Sequence, residues 1–375
     1  MRTMTPGERF MRALSFQSVD RIPVMDFGYW RETIDEWHQQ GLPADVDTTE
    51  QVEAYFGCDR GFETNLINYF GDDGPVGIEW GIWPPFSKIL VEETEETRLY
   101  EGECGRILEH KFSGSMSFQS KYPVETMEDF LKKVPSRMDP WDPTRVQPGF
   151  EAMLRRGKEQ GQAVGLWIDG YLAWPRILMG IENLAYAYYD DPELIHAIQR
   201  QHTDFVKGFV DMALTKTKLD YACFFEDMAY NHGSLVSPQI FREFMMPYYH
   251  ELIAYLRSKG IQKVLIDSDG NTVALTDLLV EAGADGHYPL EINSGSKPEL
   301  IRQRHPNLAL IGGIDKLTLM GDRGDIDREL AKLPPLLEKG GYIPALDHRV
   351  QPGVSMANYQ YYIDQKRKIL EKYCY

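Results

Sequence analysis

The chain has 375 residues, of which 43% are hydrophobic and 26% charged; this composition is that of an ordinary globular protein and excludes a disordered or low-complexity chain. Its 57 acidic residues outnumber its 40 basic ones, and the formal net charge of −17 argues against a nucleic acid or an anionic membrane as the main partner. We expect no membrane span and no signal peptide. The four cysteines form no Cys-x-x-Cys pair and are typical of a reducing cytoplasm.

The first part of the chain predicts helices, one early strand and a hairpin. Residues 5–19 predict a helix with a proline in its first turn, and residues 22–27 predict a first strand. Residues 30–58 are helical and rich in aromatic side chains. Residues 88–111 alternate apolar and polar positions around a glycine-containing turn, which predicts a β-hairpin. Residues 125–160 predict two helices joined by a proline-rich loop.

From residue 160 onwards, short apolar runs alternate with helical segments such as 239–259 and 272–282. The predicted strands are residues 163–168, 221–225, 263–266, 286–290, 308–311 and 342–346. Short apolar strands that alternate with helices indicate a parallel sheet covered by helices. With the early strand candidates, the units approach eight. We therefore predict a (β/α)8 TIM-like barrel with N-terminal helices and a β-hairpin excursion, as a single domain over residues 1–375. A doubly wound open sheet is the second choice.

Charged residues follow nearly every predicted strand, at the end where a barrel carries its chemistry. These residues are Asp26, Asp169, Glu226, Asp227, Asp267, Asp269, Glu291, Asp315, Asp347 and His348. Aspartate is also common as a helix N-cap just after a strand, which is the alternative reading for Asp169 and Asp315.

The run Asp-Ser-Asp-Gly at residues 267–270 is the sharpest local signal. Asp267 and Asp269 share one face because side chains alternate along a strand. Two carboxylates at this spacing repel each other unless a cation or a proton lies between them. A capped turn, in which Asp269 accepts N–H bonds of the following helix, is the alternative.

His348 ends the last predicted strand and can converge with this pair in a closed barrel. Asp267, Asp269 and His348 form a donor set that suits Zn²⁺, Fe²⁺ or Mn²⁺, with Glu226 as a fourth ligand. Only one of Glu226 and Asp227 can point inward. The alternative for His348 is a hydrogen-bonding residue of the core.

Other strand-end residues are candidates for substrate binding. Trp30 follows the first predicted strand, where a planar ligand can stack on it, although packing is the commoner role of such a ring. His232 lies with Tyr230 in a loop after a predicted strand. We expect substrate contacts from these three residues and from three strand-end acids, which are Asp26, Asp169 and Glu291.

Several motifs resemble the uroporphyrinogen decarboxylase superfamily, which also contains zinc-dependent, corrinoid-linked methyltransferases. The matching pieces are Thr-Pro-Gly-Glu-Arg at 5–9, Asp-Arg-Ile-Pro-Val at 20–24, Ser-Pro-Gln-Ile-Phe-Arg-Glu-Phe at 237–244 with Pro247 and Tyr248, Ile-Gly-Gly-Ile-Asp at 311–315, and the segment 340–353. The resemblance spans nearly the whole chain. It implies a (β/α)8 barrel with its site at the carboxyl ends of the strands.

The departures from the superfamily patterns bear on the reaction. The decarboxylases carry an arginine-bearing segment after the first strand, where this chain has Asp26, which should repel a porphyrinogen with eight carboxylates. His348 matches the position of a decarboxylase histidine. The methyltransferases have His-x-Cys-Gly where this chain has residues 267–270, and their last cysteine ligand falls at His348. The resemblance therefore implies a metal site with harder ligands, suited to an oxygen-containing substrate.

We accordingly expect an enzyme that moves a methyl group between an oxygen-containing, methoxylated donor and a corrinoid carried by a separate protein. A divalent metal, with Zn²⁺ first, would be bound by Asp267, Asp269, His348 and Glu226, and Glu226 or Asp227 would relay the proton. The alternatives are a decarboxylase and a non-catalytic corrinoid or tetrapyrrole binder. The resemblance also allows a homodimer, with contacts from residues 88–122.

Overall fold

The N-terminal part of the chain forms three short helices. The structure is a computed structural model that describes residues 3–59, 64–65, 77–111 and 118–373. The helices are α1 (Pro6–Leu14), α2 (Arg31–Gln39) and α3 (Thr49–Phe56). The predicted helix with proline in its first turn is confirmed, and a capping box begins it: the Thr5 hydroxyl accepts the Glu8 N–H, and the Glu8 carboxylate accepts the Thr5 N–H. The helix ends earlier than predicted, just before Phe16, whose φ of 55° is left-handed.

The predicted first strand at residues 22–27 is wrong as a regular strand, because this segment has no regular secondary structure and joins no ladder. It runs instead beside the end of the last strand. The Val350 N–H donates to the Gly28 carbonyl at 2.9 Å, and the Trp30 N–H donates to the Val350 carbonyl at 3.1 Å. The segment is therefore held by isolated bonds and by side chains.

The predicted hairpin is part of a larger antiparallel sheet. After the two-residue strand β1 (Thr64–Asn65) come β2 (Ile89–Glu93), β3 (Thr97–Gly102), β4 (Gly105–His110) and β5 (Phe118–Lys121). The last four pair in chain order, with a bulge in β2 between Leu90 and Glu92. We call β2–β5 the projecting sheet, because none of its described residues belongs to the hydrophobic core.

The rest of the chain alternates helices and strands. Its elements are α4 (Met127–Lys133), α5 (Phe150–Glu159), β6 (Val164–Asp169), α6 (Ala173–Met179), α7 (Ile181–Asp190), α8 (Pro192–Leu214), β7 (Tyr221–Phe225), β8 (Ala229–Tyr230), β9 (Gly233–Ser234), α9 (Pro238–Phe244), α10 (Met246–Ser258), β10 (Lys263–Asp267), α11 (Leu275–Ala282), β11 (Gly286–Tyr288), α12 (Pro298–Arg304), β12 (Ala309–Ile314), α13 (Arg323–Leu330), α14 (Pro334–Leu337), β13 (Tyr342–Leu346) and α15 (Met356–Leu370). The six strands predicted after residue 160 are thus confirmed, whereas the helix predicted at 239–259 is broken at Met245.

In the described part of the chain, seven strands form one parallel sheet in the order β1-β6-β7-β10-β11-β12-β13. This is an α/β fold whose strands run through the sheet in sequence order, as a TIM-like barrel requires. Closure of the sheet into a barrel stays a prediction. No helix in the described ranges is long and apolar enough to cross a bilayer.

Candidate active site

The register of the parallel sheet decides which side chains meet at its carboxyl end. Asp267 is the last residue of β10, and it pairs with Phe225 of β7 on one side and with Tyr288 of β11 on the other. Residues that pair in a parallel ladder point to the same face of the sheet. Asp267, Phe225 and Tyr288 therefore share one face, which we call the site face.

The two carboxyl groups of the Asp-Ser-Asp run lie on this face, as the sequence predicts. Burial raises the pKa of Asp267 well above its usual range, and the negative charges of Asp269 and Asp227 raise it further. Burial, with the charges of Asp227 and Glu291, likewise raises the pKa of Asp269 to about 8. Oδ1 of Asp269 is buried and accepts no hydrogen bond from the described residues. At neutral pH this pair holds a proton or requires a cation.

His348 lies beside Asp269 and has an aromatic wall behind it. Its Nε2 is 3.6 Å from Oδ2 of Asp269, which is too long for a hydrogen bond. The ring stacks on Trp30 with centroids 5.8 Å apart, and it contacts Phe27 at 5.3 Å. Burial, with the charge of Lys316, lowers the pKa of His348 to about 4, so the imidazole is neutral near pH 7 and keeps a free lone pair.

A lysine and two carboxylates frame the other side of the acid pair. Lys316 Nζ lies 3.4 Å from Oε1 of Glu291 and 3.7 Å from Oδ1 of Asp347. Glu291 also accepts the Gly270 N–H at 2.9 Å, which fixes the turn after Asp269. Burial raises the pKa of Asp347 to about 6, although Lys316 acts in the opposite direction. Glu291 therefore lies at the site as predicted, in an ion pair.

Asp227 is the member of the Glu226–Asp227 pair that reaches the site. Its φ of 49° is left-handed, a conformation that non-glycine residues adopt rarely. Arg176 Nη1 donates to the Asp227 carbonyl at 3.1 Å, and its Nη2 lies 3.4 Å from the carboxylate. Burial raises the pKa of Asp227, and Arg176 counteracts the rise. A carboxyl group poised in this way can hold or release a proton.

Glu226, predicted as a metal ligand and catalytic residue, is directed away from the site. It is one position out of phase with Phe225, so its side chain leaves by the opposite face of the sheet. Its carboxylate is completely buried and accepts the backbone N–H groups of Tyr171, Leu172 and Ala173. Its oxygens accept from the start of α6 and from the hydroxyl of Tyr249 in α10, so this geometry contradicts the prediction that Glu226 is a metal ligand.

Asp26 also has a role different from the predicted contact with substrate. Its carboxylate pairs with Lys366 of α15 at 3.0 Å, and the side chains of both residues are fully buried. It also accepts the hydroxyls of Tyr359 and Tyr362 and the Leu346 N–H. Asp26 therefore links the N-terminal segment to β13 and α15, and its side chain is fully buried among these partners.

The other three predicted substrate residues are divided between the interior and the rim. Asp169 ends β6 on the site face and accepts the indole N–H of Trp80 at 2.7 Å. Tyr230 is 51% exposed and contacts His232 edge to face at 5.9 Å. The Asn271 N–H donates to the Tyr230 carbonyl at 2.9 Å, so this small hairpin borders the turn after Asp269. Tyr230 and His232 therefore lie at the edge of the site.

Sequence reasoning missed the cations of the site. It collected the carboxylates that follow strands, and it overlooked Lys316, which comes two residues after β12, and Arg176, which lies inside α6. The position of Lys316 was a usable signal, since it follows a strand as closely as the acids do. Arg176 carried no such signal, because its contact with Asp227 depends on how α6 folds back onto the sheet.

The predicted metal ligands come together only in part. Among the described residues, no group of three or more His, Cys, Asp or Glu side chains is arranged to hold a metal ion. Asp269 and His348 do lie as a pair, and their 3.6 Å separation is close to the roughly 3.3 Å between two ligand atoms of one tetrahedral Zn²⁺. The donor chemistry of this pair fits a divalent ion, with Asp267 as the next carboxylate along the strand.

Comparisons with known proteins extend these observations. The family model for uroporphyrinogen decarboxylase (URO-D) matches residues 152–369, which is more than half of the chain. A methyltransferase from Methanosarcina mazei is similar in structure, with a TM-score of 0.56 and 14% identity over 98% of this chain and 99% of that one. A Listeria monocytogenes protein described as a vitamin-B12-independent methionine synthase has a TM-score of 0.39 and 10% identity, over 94% of this chain and 98% of that one. No curated protein matches by sequence.

Proposed function

Because the chain belongs to the uroporphyrinogen decarboxylase family, we propose that it is an enzyme that moves a methyl group between an oxygen-containing donor and a corrinoid. The family resemblance predicted from the motifs is confirmed. A methoxylated compound is the proposed donor, and a separate corrinoid protein is the proposed acceptor. The Methanosarcina mazei methyltransferase, which shares the fold, is in accord with a methyl transfer.

The buried pair Asp267 and Asp269 is the observation that carries this proposal. A methyl ether reacts slowly because its alkoxide is a poor leaving group, so catalysis needs a proton or a cation at the ether oxygen. The raised pKa values of the pair describe a site in which either one is favoured. The site therefore offers what an oxygen-bound methyl group needs.

The side chains of the site divide the remaining tasks. Asp227, held by Arg176, is the group proposed to carry a proton to the leaving oxygen, since Glu226 faces away. Trp30 and Phe27 with the neutral His348 ring form an aromatic wall against which an aromatic donor can lie. Tyr230 and His232 border the opening. The aromatic wall and the acid pair together favour a neutral, planar substrate over a polycarboxylate.

Asp269 and His348 are the pair proposed to hold a divalent metal, with Zn²⁺ first and Asp267 as the third ligand, although these three do not form a ready-made site in the described structure. When bound, such an ion would act as a Lewis acid on the donor oxygen. The two aspartates would lose their protons on binding, so metal affinity should rise with pH. We further propose a cytoplasmic location, in keeping with the free thiols of Cys58, Cys104 and Cys223.

The experiment is a spectroscopic assay of methyl transfer. The full-length protein is mixed with Zn²⁺, cob(I)alamin and each of a panel of methoxylated donors, and methylcob(III)alamin is followed by its absorbance. We expect product with at least one donor, and a loss of 10²-fold or more in rate for Asp269→Ala, about what a missing acid–base or electrostatic group costs. Asp204→Ala is the control, because this aspartate is 62% exposed on α8.

Decarboxylation of a carboxylic acid is the alternative reaction. The family match names that chemistry, and a protonated Asp269 could deliver a proton to the carbanion left by CO₂. If no donor methylates cobalamin and a carboxylate substrate releases CO₂ without metal, the decarboxylase replaces the methyltransferase. Binding of a corrinoid or tetrapyrrole without any turnover would instead indicate a non-catalytic binder.

A further inference from the structure

Glu226 makes an unusual number of contacts for a side chain that faces away from the site. It is completely buried, and its Oε1 accepts the Tyr171 N–H at 2.7 Å and also the hydroxyl of Tyr249. Its Oε2 accepts the N–H groups of Leu172 at 2.8 Å and Ala173 at 3.1 Å. Four donors therefore surround one carboxylate, and three of them are backbone groups at the start of α6.

The chain opposite Glu226 is shaped to admit this carboxylate. A Cβ atom on Gly170 would lie 1.9 Å from Oε1 of Glu226, so only glycine leaves the required space. The Gly170 N–H also donates to the Phe225 carbonyl at 2.8 Å. The turn from β6 into α6 is therefore bonded to the end of β7 twice, once to the backbone of Phe225 and once to the buried side chain of Glu226.

The same helix reaches the residue that follows Glu226. Arg176 of α6 holds the carbonyl and the carboxylate of Asp227, as described above. Glu226 binds the start of α6, and Arg176, which lies within the same helix, binds Asp227. Helix α6 is therefore attached to two consecutive residues at the end of β7. Asp227, whose φ of 49° is left-handed, is thus contacted both through its neighbour Glu226 and directly by Arg176.

The end of β7 is in turn bonded to the acid pair. The Glu226 N–H donates to the Asp267 carbonyl at 2.9 Å, and the Met228 N–H donates to the Ser268 hydroxyl at 2.9 Å. The Asp269 N–H donates to the Asp227 carboxylate, which lowers the pKa of that group. A shift of residues 226–228 would therefore move Asp267 and Asp269.

We infer that Glu226 is a positioning residue: through the start of α6 and its neighbour Asp227, its buried carboxylate sets the place of the Asp267–Asp269 turn. This inference goes beyond the proposed function, and it rests on that function only for the role of Asp269. A residue that served stability alone would weaken the whole fold without a selective effect on residues 267–271.

The test is hydrogen–deuterium exchange of the metal-free, full-length protein, read by mass spectrometry for residues 267–271. Glu226→Gln replaces an acceptor oxygen with a donor that faces a backbone N–H, and Gly170→Ala displaces the same carboxylate from the other side. We expect each to speed exchange in this segment by about tenfold, as the loss of one buried hydrogen bond implies. Tyr249→Phe removes one contact and adds no atoms, so it should act in the same direction by about threefold.

Gly165→Ala is the matched control, because Gly165 lies in β6, the strand that precedes Gly170, and its Cβ would lie 2.3 Å from the ring of Tyr221 in β7, away from Glu226. When each variant is measured at the same temperature interval below its own unfolding midpoint, Gly165→Ala should leave the exchange rate of residues 267–271 unchanged. The inference is overturned if Glu226→Gln and Tyr249→Phe leave this segment at the wild-type rate, or if Gly165→Ala speeds it equally. If methyl transfer is found, kcat should fall with KM unchanged; the exchange result does not depend on finding it.

Discussion

The parallel sheet and the projecting sheet place similar side chains in opposite surroundings. Asp267, at the end of β10, is 2% exposed, and burial raises its pKa well above the usual range. The side chain of Glu93, in β2, is 42% exposed, and hydrogen bonds from Lys111 and Arg98 lower its pKa. The same functional group therefore favours its protonated form in the parallel sheet and its ionised, solvated form in the projecting sheet. Burial, more than residue type, decides which of them can do chemistry.

The two sheets also differ in how their apolar surfaces are covered. Strands β6, β7 and β10–β13 of the parallel sheet contribute to the hydrophobic core, whereas every residue of β2 is exposed. On one face of the projecting sheet, the register aligns Leu99, Leu108 and Phe118 in a row, and Phe118 is 65% exposed. A sheet with apolar side chains normally packs against a second layer. This contrast agrees with the expectation that residues 88–122 contact a second copy of the chain.

Removal of the Asp26 carboxylate should have the largest effect. Asp26→Ala leaves Lys366 charged and buried, so the free energy of unfolding should fall by about 3–5 kcal/mol. Urea denaturation of the metal-free protein measures this. An Asp26→Ala variant with wild-type stability and weaker substrate binding would restore the substrate role that the sequence predicted.

The acid pair should make stability depend on pH in the opposite sense to most aspartates. Asp269 has a pKa of about 8 in the folded protein against 3.8 as its ordinary value, so between about pH 4 and pH 8 the folded state binds more protons than the unfolded state. Stability must therefore fall as pH rises through this window. Asp269→Asn removes the free-energy cost of ionising this buried carboxyl group. At pH 8 it should therefore raise the free energy of unfolding by on the order of 2 kcal/mol.

Thermal unfolding of metal-free wild type and Asp269→Asn, followed from pH 4 to pH 8, measures this difference. The two curves should meet near pH 4, where Asp269 is protonated in the folded state. A variant that is less stable than wild type at pH 8 would contradict the raised pKa.

The sequence was sufficient for the strands after residue 160 and for the approach of His348 to Asp269, whereas a three-residue metal site with Asp267 stays a prediction. Continuous apolar runs specify buried strands, and the ends of parallel strands meet wherever the sheet folds. The orientation of Glu226 could not be predicted from the sequence, because it depends on the pairing of Phe225 in β7 with Asp267 in β10. The partner of Asp26 was not accessible either, since Lys366 is 340 positions away in the chain. Local patterns predict elements, whereas a buried ion pair depends on the assembled fold.

The exposed apolar row of the projecting sheet is the surface on which we expect a homodimer to form. Phe118→Glu places a charge in the exposed apolar row, and Leu131→Glu changes an equally exposed residue of α4. Light scattering should give about twice 43.2 kDa for wild type and Leu131→Glu and about 43.2 kDa for Phe118→Glu. A wild-type mass of 43.2 kDa would remove the dimer.

The smallest effect is expected where the projecting sheet carries its ion pairs. Glu93 lies 2.6 Å from Lys111 and 3.1 Å from Arg98, yet water reaches all three side chains and screens the attraction. Glu93→Ala should therefore leave the free energy of unfolding unchanged within error, under the urea conditions in which Asp26→Ala loses several kcal/mol. A double-mutant cycle with Lys111→Ala measures the pair directly, and its coupling should vanish at high salt. A large, salt-independent coupling would mean that this surface is buried in solution, and the projecting sheet would then have a partner.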